Sequence, residues 1–170
     1  MRRHPDRPGL AVLALVGPDG SAIHISRDLG EDWGKPLVNF KEEVFDAAWI
    51  ERNGQPMLLV ATEAGLRQIV PSEGGGATAV RVDQTIDPDG YWAVAATTSP
   101  LGVLSVAVAA RKKKGVYLST QGGVSESFTK RGLDGKDVRM LAVQKTAGRS
   151  FLWATVHAEG GEQGHHGADR

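Results

Sequence analysis

The stretch IHISRDLGEDWGKPL, Ile23 to Leu37, decides how the rest of the chain is read. It opens on the alternation Ile23-His24-Ile25-Ser26, the pattern of a half-buried strand. Directly behind it Ser26, Asp28, Gly30 and Trp33 stand at offsets 0, 2, 4 and 7. A carboxylate just past a strand can accept hydrogen bonds from the amides of its own turn. A serine hydroxyl adds another, and glycine takes a positive φ that other residues resist. The four positions therefore describe a self-supporting turn, over which Trp33 is expected to fold back and bury its ring against the hairpin and the neighbouring sheet.

The strand ahead of this stretch recurs. LAVLALVG (Leu10–Gly17), PMLLVATE (Pro56–Glu63), GVLSVAVA (Gly102–Ala109) and SFLWATVH (Ser150–His157) are apolar runs with one central small residue. Aligned on Ala14, Ala61, Ala107 and Ala154, they lie 47, 46 and 47 residues apart. In three units a turn and a second strand follow: GPDG then AIHIS, TEAG then LRQIV, ARKKKG then VYLS. Ahead of three lies a further candidate strand, at Val44–Ile50, Tyr91–Thr98 and Val138–Gln144. The first of these has a local rival, a helix over Phe40–Arg52 with Asn39 as N-cap, Glu42 as capping-box partner and Gly54 as stop. The repeat register decides for a strand, because the equivalent segments are rich in Val and Thr and form helices poorly.

A period of about 40–50 residues holding about four short strands is the signature of a β-propeller blade. The expected fold is all-β, with four-stranded antiparallel blades at 10–40, 44–83 and 91–131 and a half blade at 138–156. Residues 1–9 read as a disordered leader and 157–170 as a flexible Gly/His-rich tail. Three to four blades fall short of the usual closed ring of about 4–8. Blade 1 reads as lacking its first strand. The chain is thus expected to belong to a larger propeller, through a missing C-terminal half or an oligomer that completes the ring.

With the repeat in place, Ser26, Asp28, Gly30 and Trp33 resemble the Asp-box, or bacterial neuraminidase repeat, of sialidase-like propellers; sortilin-type and photosystem II assembly factor-type propellers are similar. The resemblance implies that the motif lies between a blade's third and fourth strands and is structural. A degenerate copy, LSTQGGVSESF, keeps Ser119, Gly122 or Gly123, and Phe128, with Gln121 where the aspartate belongs. The middle unit has a Gly74-Gly75-Gly76 loop in its place.

Composition narrows the function. Twenty basic residues balance twenty acidic ones in 170, so no net field draws the chain to nucleic acid or an anionic membrane. No cysteine is present, which removes disulfides, thiol catalysis and Cys-ligated zinc. The 22 glycines and 8 prolines suit many short strands joined by turns. Basic residues precede the apolar run Leu10–Val16, but the run stops at a Gly-Pro-Asp-Gly turn instead of a cleavage site, and no run reaches membrane-spanning length. A cytoplasmic location is favoured over secretion.

Sialidase chemistry would need an arginine cluster, a tyrosine nucleophile with a glutamate helper, and an acid/base aspartate. The two tyrosines, Tyr91 and Tyr117, both fall in predicted strands, and no arginine triad can be assigned. Asp28 and Asp32 lack the ladder of oxygens a calcium loop needs. Arg111–Gly115 (RKKKG) reads as a solvated hairpin tip. His157, Glu159, His165 and His166 lack fixed metal-ligand spacing, and Trp49, Trp92 and Trp153 read as core packing. GPDG (Gly17–Gly20) and DPDG (Asp87–Gly90) read as turns. No catalytic, cofactor or metal residue is assigned and no cofactor is expected. The chain is expected to be a non-catalytic scaffold for a protein or glycan partner, the alternative being part of a sialidase-like or other glycoside hydrolase.

Overall fold

The computed structural model describes residues 1–72, 76–82 and 89–157, and every helix or strand among them is a strand. Four antiparallel sheets follow one another along the chain as propeller blades. The first runs β1 (Arg2–Arg3), β2 (Ala11–Gly17), β3 (Gly20–Ser26), β4 (Val38–Phe40); the second, β5 (Val44–Arg52), β6 (Gln55–Thr62), β7 (Gly65–Pro71), β8 (Ala77–Arg81). The third comprises β9 (Tyr91–Thr98), β10 (Leu104–Ala110), β11 (Val116–Ser119) and β12 (Thr129–Gly132), and the fourth is the hairpin β13 (Asp137–Thr146) and β14 (Arg149–His157). The strand β5 occupies most of the segment where a helix had local support. Among the described residues no helix is long and apolar enough to cross a membrane.

The continuous apolar runs have a direct explanation. Side chains alternate between the faces of a strand, so a strand buried on both faces needs apolar residues at every position. In β6, Leu58 and Val60 enter the cluster shared with the first sheet, beside Val12, Ile23 and Ile25, while Leu59 and Ala61 enter the cluster shared with the third. In β10, Val106, Val108 and Ala110 face the second sheet, and Ala107 and Ala109 face Val138 and Leu141 of the fourth. The repeat-marking Ala14, Ala61, Ala107 and Ala154 all lie on second strands. The first strands β1, β5, β9 and β13 contact one another in series and define the axis.

Two expectations are corrected at the N-terminus. Residues 1–9 are not a structureless leader, and the first sheet does not lack its first strand: Arg2 and Arg3 form β1, paired with Val12 and Ala11. The Arg2 guanidinium holds this strand at the axis through Asp46 Oδ1, at 2.8 and 3.1 Å. Asp46 Oδ2 accepts the Val94 amide at 3.2 Å, so one carboxylate joins the first strands of three sheets. His4 is buried against the Trp49 ring, 5.3 Å between centroids, and the Trp49 indole donates to the Arg2 carbonyl at 3.3 Å.

Because Leu59 is fully buried between the second and third sheets, Leu59→Ala is expected to lower the unfolding free energy by about 2–5 kcal/mol, read by urea titration. A loss below 1 kcal/mol would contradict face-to-face packing of those sheets.

Candidate functional site

The stretch that opens the sequence reading forms the turn between β3 and β4. Ser26, buried at the end of β3, donates to Asp28 Oδ1 at 2.6 Å and accepts the Gly30 and Asp28 amides at 2.8 and 3.3 Å. Asp28 in turn accepts the Asp32 amide at 3.0 and 3.2 Å. Those contacts, the Asp32 amide first and the Ser26 hydroxyl second, hold the Asp28 carboxyl below its ordinary value of 3.8. Gly30 takes φ 99°, and a Cβ there would lie 3.3 Å from the Trp33 ring. Trp33 therefore folds over its own turn and stays half-buried.

The turn between β11 and β12 reaches a similar result with other groups. Ser119 Oγ accepts the Gln121 and Gly123 amides at 3.1 and 3.0 Å. Where the first turn uses the Asp28 carboxylate, Ser119 hydrogen-bonds Ser127 Oγ at 2.7 Å, and Ser127 donates onward to the Val124 carbonyl. Arg52 reaches from β5 to donate to the Gly122 carbonyl and to Gln68 Oε1. Gly122 and Gly123 both take positive φ, and a Cβ on Gly123 would press on Leu59 and Val106 at 3.2 Å. Phe128 packs on the cluster between the second and third sheets. Sequence reading missed Ser127 and Arg52, since neither has a fixed offset from the motif.

Other candidates scatter. Tyr91 is fully buried, and Tyr117 lies under the Lys130 ammonium at 5.7 Å. The RKKKG tip is more than a solvated loop: Lys112 and Lys114 pair with Asp89 at 2.8 and 2.9 Å, Lys112 first, and hold its carboxyl at about 2. Gly74 and Gly75, Asp87 and Pro88, and Glu159, His165 and His166 lie outside the described residues, so the tail group cannot be assembled around His157. Among the described residues no three His, Asp or Glu side chains gather to hold a metal ion.

A 47-residue signal not used in the sequence reading emerges at the axis. Phe45, Trp92 and Arg139 stand 47 apart, and each is the extra residue of a β-bulge in the first strand of its sheet. They stack in order: Phe45 and Trp92 meet edge-on at 4.5 Å, and the Arg139 guanidinium lies 3.8 Å from the Trp92 ring centre. Arg111 adds a second guanidinium, 4.6 Å from Trp92 and 5.0 Å from Phe45.

The fourth sheet exposes several large apolar side chains. Its pairing places Met140, Ala142, Phe151 and Trp153 on one face, and Leu141, Val143, Leu152 and Ala154 on the face turned to the third sheet. Met140, Phe151 and Trp153 are 51%, 46% and 59% exposed. Trp153 is thus not core; its indole donates sideways to Gln144 at 3.0 Å. Among the described residues β14 pairs on one side only, and its inner stretch SFLWATV carries neither charge nor proline. Unpaired amides and carbonyls without such protection are a template for another strand.

Together these features define an all-β protein of propeller blades whose fourth sheet exposes an apolar face among the described residues. No family model matches the chain, and no curated protein matches it. Among solved structures it is similar to BBS1N, crystallised in complex with ARL6DN and soaked with mercury: 18% identity and a TM-score of 0.42 over 76% of this chain and 41% of that one. The chain spans less than half the length of that structure.

Ser26→Ala leaves the half-buried Gly30 amide without its acceptor and is expected to cost about 1 kcal/mol in chemical unfolding. A carboxyl depressed in the folded state stabilises above its unfolded value and ceases to do so as pH falls through the folded one. Thermal stability should therefore decline as pH falls below the ordinary carboxyl value of 3.8, with Asp28→Asn flattening part of that decline in an acid series of melting curves.

Proposed function

We propose that this protein is a non-catalytic propeller scaffold of the Asp-box type that binds a protein partner through its fourth sheet. The exposed face of β13 and β14 carries the reading: Met140, Phe151 and Trp153 crowd one surface beside a strand edge that is unpaired among the described residues. Tryptophan and methionine are enriched at interface cores, and an apolar patch of this kind is uncommon on a surface that stays solvated. The partner supplies an extended segment that pairs with β14 by main-chain hydrogen bonds, with apolar side chains set against Phe151 and Trp153.

The two serine turns serve this role by rigidity. Each closes its own hydrogen bonds and holds a blade corner. The burial of Tyr91 and the placement of Tyr117 beneath Lys130 favour a scaffold over a glycosidase with a tyrosine nucleophile.

A photo-crosslinking residue at Phe151 should give one saturable adduct with a protein in extracts of the source cells, abolished by Trp153→Glu, while the same group at Lys35 gives none. Equal labelling at both positions, or an adduct that survives Trp153→Glu, would refute the surface. Hydrolysis of a fluorogenic sialoside by the purified chain, lost in no control, would refute the non-catalytic part.

A further inference from the structure

At the end of the axis opposite the Phe45, Trp92 and Arg139 stack, where β5, β9 and β13 finish, lies a cavity of about 330 Å³. Its walls come from all four sheets. His4 and Asp6 follow β1, Ile50 and Glu51 close β5, Thr97 and Thr98 close β9, and Val143 and Lys145 lie on β13. The volume sits at the lower end of the range for small-molecule sites, about 300–1,000 Å³.

His4 is the unusual member. Its side chain is 1% exposed. Its Nδ1 accepts the Asp6 amide at 3.2 Å, which leaves the proton of the neutral ring on Nε2. That Nε2 has no hydrogen-bond partner; Glu51 Oε2 is 3.9 Å away, beyond bonding reach. Burial lowers the His4 pKa from its ordinary value, the Glu51 and Asp6 charges opposing this and Arg7 adding to it, so the ring is neutral near pH 7. A buried donor without an acceptor is rare in folded proteins, and one lining a cavity is explained when a ligand provides the acceptor.

The charges around the cavity are divided. Asp6 and Glu51 come from the first two sheets, Glu51 also lying 3.5 Å from Arg7. Lys145 comes from the fourth sheet, and no ion pair engages it among the described residues. The floor between them is apolar, with Ile50, Leu104 and Val143. An anion would meet Lys145 but also the two carboxylates, and a cation would meet the reverse. A molecule carrying both charges a few bonds apart satisfies each flank.

We propose that this cavity binds a small zwitterion of the α-amino acid class, free or as a dipeptide. Its ammonium faces Glu51 and Asp6, its carboxylate faces Lys145 and takes the His4 Nε2 proton as a hydrogen bond, and its apolar side chain rests on Ile50, Leu104 and Val143. The site is independent of the β14 surface, so either reading can fail alone.

The probes are L-leucine and leucylglycine, each titrated calorimetrically into the full chain at neutral pH, beside 4-methylpentanoate and isoamylamine, which keep the apolar body but one charge each. At least one zwitterion should bind saturably, with both single-charge analogues weaker by about tenfold or more. Lys145→Gln and Glu51→Gln should each weaken binding by a similar factor, and His4→Phe should weaken it while keeping the ring volume. Lys145→Gln, at an exposed position, should melt at the wild-type temperature, which separates lost binding from lost folding. The proposal is overturned if neither zwitterion binds below about 10 mM, if the single-charge analogues bind equally well, or if binding survives Lys145→Gln.

Discussion

A thin four-stranded sheet with two apolar faces is stable only when each face is covered by another sheet, and the remaining features of this chain follow from that requirement. Leu58 and Val60 reach one neighbour while Leu59 and Ala61 reach the other. The same division in β10 explains why its residues are small or branched at every position. Among the described residues the first and fourth sheets each pack against one other sheet. On β14 all nine residues are exposed, and on β2 Leu15 and Val16 reach solvent. The apolar surface exposed on the fourth sheet among the described residues thus follows from the same stacking that stabilises the interior.

The axis adds a polar constraint to the apolar one. Charge and hydrogen bonding tie the first strands to one another there. The Asp46 carboxylate serves β1, β5 and β9 together. Bulges at Phe45, Trp92 and Arg139 turn one residue from each of the second, third and fourth sheets to one end of the axis, where rings and guanidiniums stack. The other end holds polar and charged ends of strands around a cavity. The two ends of one axis therefore have different chemistry, one filled and one open.

The two serine turns show how a motif can lose a residue and keep its work. In the first, Asp28 supports Ser26 and the turn amide. In the second, Ser127 takes over as the hydroxyl's partner, and Arg52 from the neighbouring sheet binds the turn's carbonyl. The second turn is thereby tied to its neighbour in a way the first is not. Phe128 reinforces this by packing into the shared cluster, while the Trp33 ring lies over Gly30 of its own turn.

What the sequence determined by itself is what depends on local pattern. The 47-residue beat and the alanine-centred apolar runs were enough for an all-β repeat of four-stranded sheets, because burial on both faces is written into consecutive residues. The turn at Ser26, Asp28 and Gly30 was legible because its partners lie within six residues of one another. The tertiary structure alone decided that Arg2 and Arg3 form a strand, since its anchor, Asp46, lies 44 residues away. It alone decided that Trp153 faces solvent, that Arg52 repairs a distant turn, and that His4 and Lys145 border one cavity. Each of these depends on which sheets become neighbours, and a contact between residues from different blades leaves no pattern in either local stretch.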